Sequence, residues 1–211
     1  GALLASWMAD AHAAGRDKLT LVFSERFVPL GLWIEQLVAE SLGKSGTGLV
    51  PVIEYDRSVA TGFDDDRAVV VTRFTDDEPL ETWSREVAAD HPVFELTVTD
   101  VFDLGAEFVR WEYAVALAGF LLSVNPFDEP SVTEAKHATV EILEGGAGDV
   151  PKASADLDGS WITFAGALTA PETPPNTRSR TLRVALAAAG PLDYLALLAY
   201  LPEDEAILAP L

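Results

Sequence analysis

The stretch AVVVTRF, residues 68–74, is a nearly unbroken run of apolar and β-branched side chains. Such a run is typical of a strand that is buried on both faces, as in a parallel sheet covered by helices. KLTLVFS (18–24) and VFELTV (93–98) are further strand candidates, and segments with helical spacing separate the three. The alternation predicts βαβ units and therefore an α/β fold, a three-layer sandwich whose parallel sheet is flanked by helices.

The rest of the chain extends this pattern in both directions. Residues 144–160, rich in Gly, Asp and Ser, predict a flexible connection. We expect a single domain over residues 1–211, and the apolar, helix-like sequence at both ends indicates a piece of a longer protein. Predicted helices cover 3–14, 29–42, 79–89, 104–124, 130–143 and 178–189, and two more strands cover 161–165 and 193–201.

Composition excludes several classes of function. The formal net charge is −20, with 14 Lys and Arg, so the chain lacks the clustered cations that bind nucleic acid or an anionic membrane. It has no cysteine, which excludes disulfides and thiolate metal sites and favours a reducing compartment, the cytoplasm. No apolar run is long enough to span a membrane, and the three histidines lack the spacing of metal ligands. We expect no metal.

Two segments carry the candidate chemistry. GLWIEQLVAESLGKSGTG (31–48) has a carboxylate, Glu40, in the last turn of a predicted helix. NPFDEPSVTEAK (125–136) has an ammonium, Lys136, in the second turn of another. A carboxylate and a lysine together can move a proton beside a carbonyl. A plainer interpretation stays open for both, because Glu40 and Lys44 have the spacing of a surface ion pair and Lys136 suits an exposed helix face.

The same segments resemble a known family. EQLVAESLGK (35–44) is similar to the phosphoglucose isomerase motif in which a Gln lies four residues before a catalytic Glu. NPFDEPSVTEAK resembles that family's later signature, an Asn-x-Phe-Asp turn that leads to an active-site Lys. The flanking segments GRDKLTLVFS, FDLGAEFVRWEYAVALAG and DYLALLAYLP look closest to the isomerase half of bifunctional transaldolase/glucose-6-phosphate isomerases. The resemblance covers most of residues 15–202.

The resemblance implies a fold, a reaction and a set of site residues. The fold is the second sugar-isomerase (SIS) subdomain, with a flavodoxin-like parallel sheet. The reaction interconverts glucose 6-phosphate and fructose 6-phosphate through a cis-enediol, with no cofactor. Glu40 matches the base that moves the proton between C1 and C2, and Lys136 matches the lysine near the ring oxygen. Gln36 matches a glutamine that contacts the substrate.

Three departures limit that resemblance. Glu129 stands where the family usually has a second, substrate-binding Gln, and a carboxylate cannot donate hydrogen bonds to a sugar. The family's ring-opening His has no match, and its Ser/Thr-rich phosphate pocket belongs to the first subdomain, which would precede Gly1. We therefore expect this piece to be inactive without that partner subdomain and to form a homodimer through the apolar surface left exposed. The alternative is a non-catalytic module that binds sugar phosphates.

Overall fold

Four parallel strands form the sheet at the centre of this computed structural model, which describes residues 1–55, 63–144, 155–157, 160–162, 187 and 190. The strands are β1 (Lys18–Phe23), β2 (Val50–Ile53), β3 (Arg67–Phe74) and β4 (Val93–Val98). Their order across the sheet is β2–β1–β3–β4, and each strand pairs in parallel with its neighbours. This order matches the start of the flavodoxin-like order 2-1-3-4-5.

Four helices cover both faces of this sheet: α1 (Ala2–Ala13), α2 (Val28–Leu42), α3 (Glu78–Val87) and α4 (Leu104–Leu121). A fifth helix, α5 (Pro130–Leu143), is largely exposed, and single 3₁₀ turns lie at Glu25–Phe27 and Val101–Asp103. On one face, strand residues such as Leu21, Val70 and Leu96 join a buried cluster with α1, α2 and α4. On the other, Val69 and Val71 pack against α3. The predicted three-layer α/β sandwich is confirmed.

Local sequence explains where α2 and α3 begin. Pro29 stands in the first turn of α2, where its missing amide costs no hydrogen bond. Asp77 caps α3 by accepting a hydrogen bond from the amide of Leu80 at 3.0 Å. The hydroxyl of Ser24, at the end of β1, donates to Asp77 at 2.6 Å and so ties the start of α3 to β1.

The structure adds one strand that the sequence pattern did not predict. β2 has only four residues, and Pro51 lies within it. It is an edge strand, where proline is tolerated because one side of the strand makes no ladder hydrogen bonds. The predicted helix at 104–124 also ends earlier, at Leu121, because Ser123 adopts a left-handed conformation (φ 61°).

The chain divides into two compact units, Gly1–Lys136 and His137–Leu211. The described residues of the second unit include an antiparallel pair of strands, β5 (Ala155–Leu157) and β6 (Ser160–Ile162). β6 overlaps the strand predicted at 161–165, and β5 lies inside the predicted connection at 144–160. The strand predicted at 193–201 lies outside the described residues, as does the helix predicted at 178–189 except for residue 187. The single-domain prediction stays a prediction.

Two features of the described residues bear on function. No helix in that part of the chain is long and apolar enough to cross a membrane. The same residues contain no group of three or more His, Cys, Asp or Glu side chains arranged to hold a metal ion.

Candidate active site

The C-terminal end of α2 carries two of the predicted site residues. Gln36 and Glu40 are both exposed, and they lie one turn apart on the same helix face. The Gln36 side-chain amide donates to Glu40 Oε1 at 3.0 Å, which orients the carboxylate and leaves Oε2 available. α2 ends at Leu42, and the amide of the capping residue Gly43 donates to the carbonyl of Ala39 at 3.1 Å.

A tight turn directly after α2 fixes Lys44. The backbones of Lys44 and Thr47 exchange two hydrogen bonds, of 3.1 and 3.0 Å. Ser45 and Gly46 between them both have positive φ, 56° and 75°, as in the type I′ turns of hairpins. His12, near the end of α1, lies with Nε2 3.0 Å from the Thr47 hydroxyl. The turn is therefore held both by its own backbone hydrogen bonds and by the contact with His12.

The Lys44 side chain reaches into the second motif. Its Nζ donates to the carbonyl of Asn125 at 2.6 Å, to the carbonyl of Asp128, and to Asp128 Oδ1 at 2.8 Å. The side chain is only 6% exposed. The surface ion pair with Glu40 that the sequence spacing allowed does not form, because the three Nζ protons are used by these acceptors.

The turn that Lys44 binds is shaped by its own residues and by α4. The side-chain oxygen of Asn125 accepts a hydrogen bond from the Phe127 amide at 3.1 Å. Pro126 packs against Gly119 of α4, where a Cβ would lie 2.9 Å from the proline Cδ. α5 begins two residues after Asp128, at Pro130. The position of the turn therefore sets the position of the first turn of α5.

A cavity of about 210 Å³ lies between the end of α2 and the start of α5. It brings Glu40 and Glu129 together, although they are far apart in the sequence. Lys44 is the cation among the residues that line it, and its protons are already engaged. The cavity therefore presents two carboxylates on a lining that is otherwise mainly apolar. Its lining residues are Ala39, Glu40, Gly43, Lys44, Glu129, Pro130 and Val132.

Lys136 is not among the residues that line this cavity. It is exposed, and within the described part of the chain no hydrogen bond or ion pair involves its side chain. Val132, which does line the cavity, lies four residues earlier on α5, so the two side chains share a helix face about 5–6 Å apart. The structure thus brings Glu40 and Glu129 together, with Gln36 bonded to Glu40 one turn earlier on α2, and leaves Lys136 one turn beyond the lining on α5.

Sequence reasoning missed the two residues that join the motifs, Lys44 and Asp128. The sequence signals the turn around Lys44 only through Gly46, because glycine adopts a positive φ without steric cost whereas a residue such as Ser45 rarely does. It holds no signal for the acceptors of Lys44, since a contact across more than 80 residues depends on how the chain returns after α4.

Comparisons with known proteins fit this geometry. No protein-family model matches the chain. A probable glucose-6-phosphate isomerase from Methanococcus maripaludis is 26% identical over 157 residues, 58% of this chain and 36% of the relative. One from Haloarcula marismortui is 28% identical over 174 residues, 65% of this chain and 40% of the relative. The glucose-6-phosphate isomerase of a Synechococcus species is 24% identical over 178 residues, 67% of this chain and 34% of the relative.

A solved structure supports the fold. A hypothetical protein from Thermus thermophilus superposes with a TM-score of 0.57 over 68% of this chain and 44% of that chain, at 21% identity. The fold and cavity therefore define a parallel α/β protein with paired carboxylates at a helix end. In sequence the chain is distantly similar to glucose-6-phosphate isomerases. The chain spans only 34–40% of the length of these relatives.

Proposed function

We propose that this chain supplies the proton-transferring part of an aldose–ketose isomerase that interconverts glucose 6-phosphate and fructose 6-phosphate. The observation that carries the proposal is the cavity lined by both Glu40 and Glu129. It joins the two motifs that resemble the isomerase family, and the relatives named above support the same reaction.

Glu40 is the proposed base. Its carboxylate takes the proton from C2 of the open-chain aldose, the C–H electron pair forms the C1=C2 double bond, and the C1 carbonyl oxygen takes a proton from water to become a hydroxyl. The resulting cis-enediol regains a proton at C1 from the same carboxyl group, while the C2 hydroxyl gives its proton back to water and becomes the ketone. The hydrogen bond from Gln36 to Oε1 supports this role, because it orients Glu40 and leaves Oε2 for the proton.

Lys136 and Glu129 are the proposed substrate contacts on α5. An ammonium near the ring oxygen favours the negative charge that develops as the ring opens. The exposed Lys136 side chain lies one turn beyond the cavity lining, on the face of α5 that carries Val132, and a four-carbon stem can span that distance. Glu129 accepts hydrogen bonds from sugar hydroxyls.

The phosphate group is proposed to bind elsewhere. Glu40 and Glu129 would repel a dianion inside the cavity, and the Lys44 protons are not available to it. The family resemblance assigns the phosphate pocket to a first SIS subdomain. We therefore propose that such a subdomain completes the site and that this piece is inactive without it. Cytoplasmic location and homodimer formation belong to the same proposal, and exposed apolar side chains such as Phe102 and Phe120 favour self-association.

Turnover of fructose 6-phosphate to glucose 6-phosphate, coupled to a dehydrogenase, tests this proposal in the full-length protein. We expect Glu40→Gln to lower kcat by at least about 10²-fold, the usual contribution of a general base. Glu35→Gln is the matched control, because Glu35 lies on the same helix but does not line the cavity. A Glu40→Gln rate within about threefold of the wild type would refute the role of Glu40.

A non-catalytic module that binds sugar phosphates is the second candidate. The observation that favours it is Glu129, a carboxylate where the family usually has an amide, facing the same cavity as Glu40. A binder would be stabilised by fructose 6-phosphate, by about 2.7 kcal/mol at a ligand concentration of 100 Kd, without turnover. Stabilisation in a thermal-shift assay together with no coupled activity would support this candidate over the enzyme.

A further inference from the structure

We propose that Lys44 is a positioning residue, whose ammonium group holds the 125–128 turn so that α5 presents Glu129 toward Glu40 across the cavity. The structural part of this inference stands by itself. Its consequence for catalysis rests on the proposed isomerase function.

The hydrogen bonds of Lys44 form a backbone clamp, in which its ammonium binds two main-chain carbonyls of the 125–128 turn. Such a clamp differs from an ordinary ion pair. Two of the three hydrogen bonds of Lys44 go to the main-chain carbonyls of Asn125 and Asp128, the first and last residues of the turn. The third goes to the Asp128 carboxylate at 2.8 Å. Three acceptors that converge on one point suit the compact ammonium of lysine, and the planar guanidinium of arginine cannot match them.

Both ends of the clamp are fixed. Lys44 lies in the tight turn after α2, which His12 holds through Thr47. The 125–128 turn packs on α4 where Pro126 meets Gly119. The Lys44 ammonium therefore connects two preformed parts of the fold, with its side chain nearly fully buried.

α5 transmits any change in this turn to the cavity. Glu129 follows Asp128 directly, and α5 begins at Pro130. A helix moves as a body, so a shift of its first turn moves Val132, and Lys136 one turn further on, relative to Glu40. Misplacement of catalytic groups by about 1 Å can lower a rate by about 10²-fold.

Hydrogen exchange tests the clamp independently of any reaction. In Lys44→Met the stem remains and the ammonium is lost, and we expect the Phe127 amide, which donates to Asn125, to exchange at least about tenfold faster while the amides of β1 and β3 are unchanged. Lys18→Met is the matched control, since Lys18 is a part-buried lysine in two ion pairs at the start of β1. It should leave Phe127 unchanged.

A second variant separates the backbone clamp from the ion pair. Asp128→Asn removes the charge and keeps both carbonyl acceptors, so we expect Phe127 exchange to rise by less than about threefold. An effect as large as that of Lys44→Met would overturn the inference in favour of a simple ion pair. Unchanged Phe127 exchange in Lys44→Met, or a uniform increase over the whole chain, would overturn it as well.

Kinetics in the full-length protein test the consequence for catalysis. We expect Lys44→Met to lower kcat by at least about tenfold with KM within about threefold, Lys44→Arg not to restore it, and Lys18→Met to retain it. Equal kcat losses in Lys44→Met and Lys18→Met would show that Lys44 only stabilises the fold and does not position α5. A wild type without isomerase activity would refute the proposed function, and the exchange data would still decide whether Lys44 holds the turn.

Discussion

Glu107 is a buried carboxylate that destabilises the fold at neutral pH, and Glu107→Gln should relieve this. Its side chain is 1% exposed, in the first turn of α4. Within the described residues neither carboxylate oxygen accepts a hydrogen bond, and the nearest cation is Arg110, 3.2 Å from Oε1. Burial raises the pKa of the Glu107 carboxyl above its usual 4.5, with Arg110 opposing this shift and Asp103 adding to it.

The sign of the pH dependence follows from that direction. Because the folded-state pKa is raised, the folded protein binds the Glu107 proton more tightly than the unfolded chain. Stability from this group is therefore lost as the pH rises from about 4.5 through the folded-state pKa. A buried polar group without a hydrogen bond costs about 1–3 kcal/mol, and a charged one costs more. Glu107→Gln keeps a buried polar group and removes the added cost of the charge, which the helix N-terminus offsets by about 0.3–1 kcal/mol. We expect Glu107→Gln to gain about 1–2 kcal/mol at pH 7.

Urea denaturation followed by tryptophan fluorescence measures this gain at pH 7 and pH 4.5. A gain of about 1–2 kcal/mol corresponds to about 2–8 °C in Tm for a chain of this size. Glu112→Gln is the matched control, because it removes one negative charge from an exposed position of the same helix and should change stability by less than about 0.5 kcal/mol. A Glu107→Gln gain that is equal at both pH values, or equal to that of Glu112→Gln, would contradict the reasoning.

Three further changes test other parts of the account. Glu129→Gln should lower KM for fructose 6-phosphate about fivefold, because an amide can donate as well as accept hydrogen bonds to sugar hydroxyls and one added bond contributes about 1 kcal/mol, and an unchanged KM in the coupled assay would contradict this. Gly119→Ala should cost about 1–3 kcal/mol in urea unfolding by pushing Pro126 away, whereas Gly105→Ala, with open space around it, should not destabilise. Asp77→Ala should cost about 0.5–2 kcal/mol through loss of the α3 cap, and a smaller change would indicate that the cap is dispensable.

Local sequence was sufficient to predict most of the first unit's fold. The β-branched run at 68–74 forms the inner strand β3, buried along nearly its whole length, because a strand covered by helices on both faces needs apolar side chains at every position. Pro29 and Gly43 bound α2 close to the predicted ends. β2 was missed because four half-buried residues with a proline carry too little pattern to identify a strand.

The candidate site was only partly predictable. The motifs named Glu40, Gln36 and Glu129, and the structure gathers them because α5 begins beside the end of α2. The contact that holds this arrangement was not predictable. Helix spacing favoured Glu40 as the partner of Lys44. In the structure Lys44 binds the 125–128 turn instead. A sequence pattern does not show which main-chain carbonyls a side chain will reach.

If Glu40 carries a proton between C1 and C2 of a sugar phosphate, deuterium from the solvent should enter the product at C1. The full-length protein would convert glucose 6-phosphate in D₂O, with the C1 position of fructose 6-phosphate read by NMR. Because Glu40 is exposed, its proton exchanges with solvent between the two transfers, so we predict deuterium at C1 and at least a roughly 10²-fold slower incorporation in Glu40→Gln. Deuterium incorporation at an equal rate in Glu40→Gln would contradict the account.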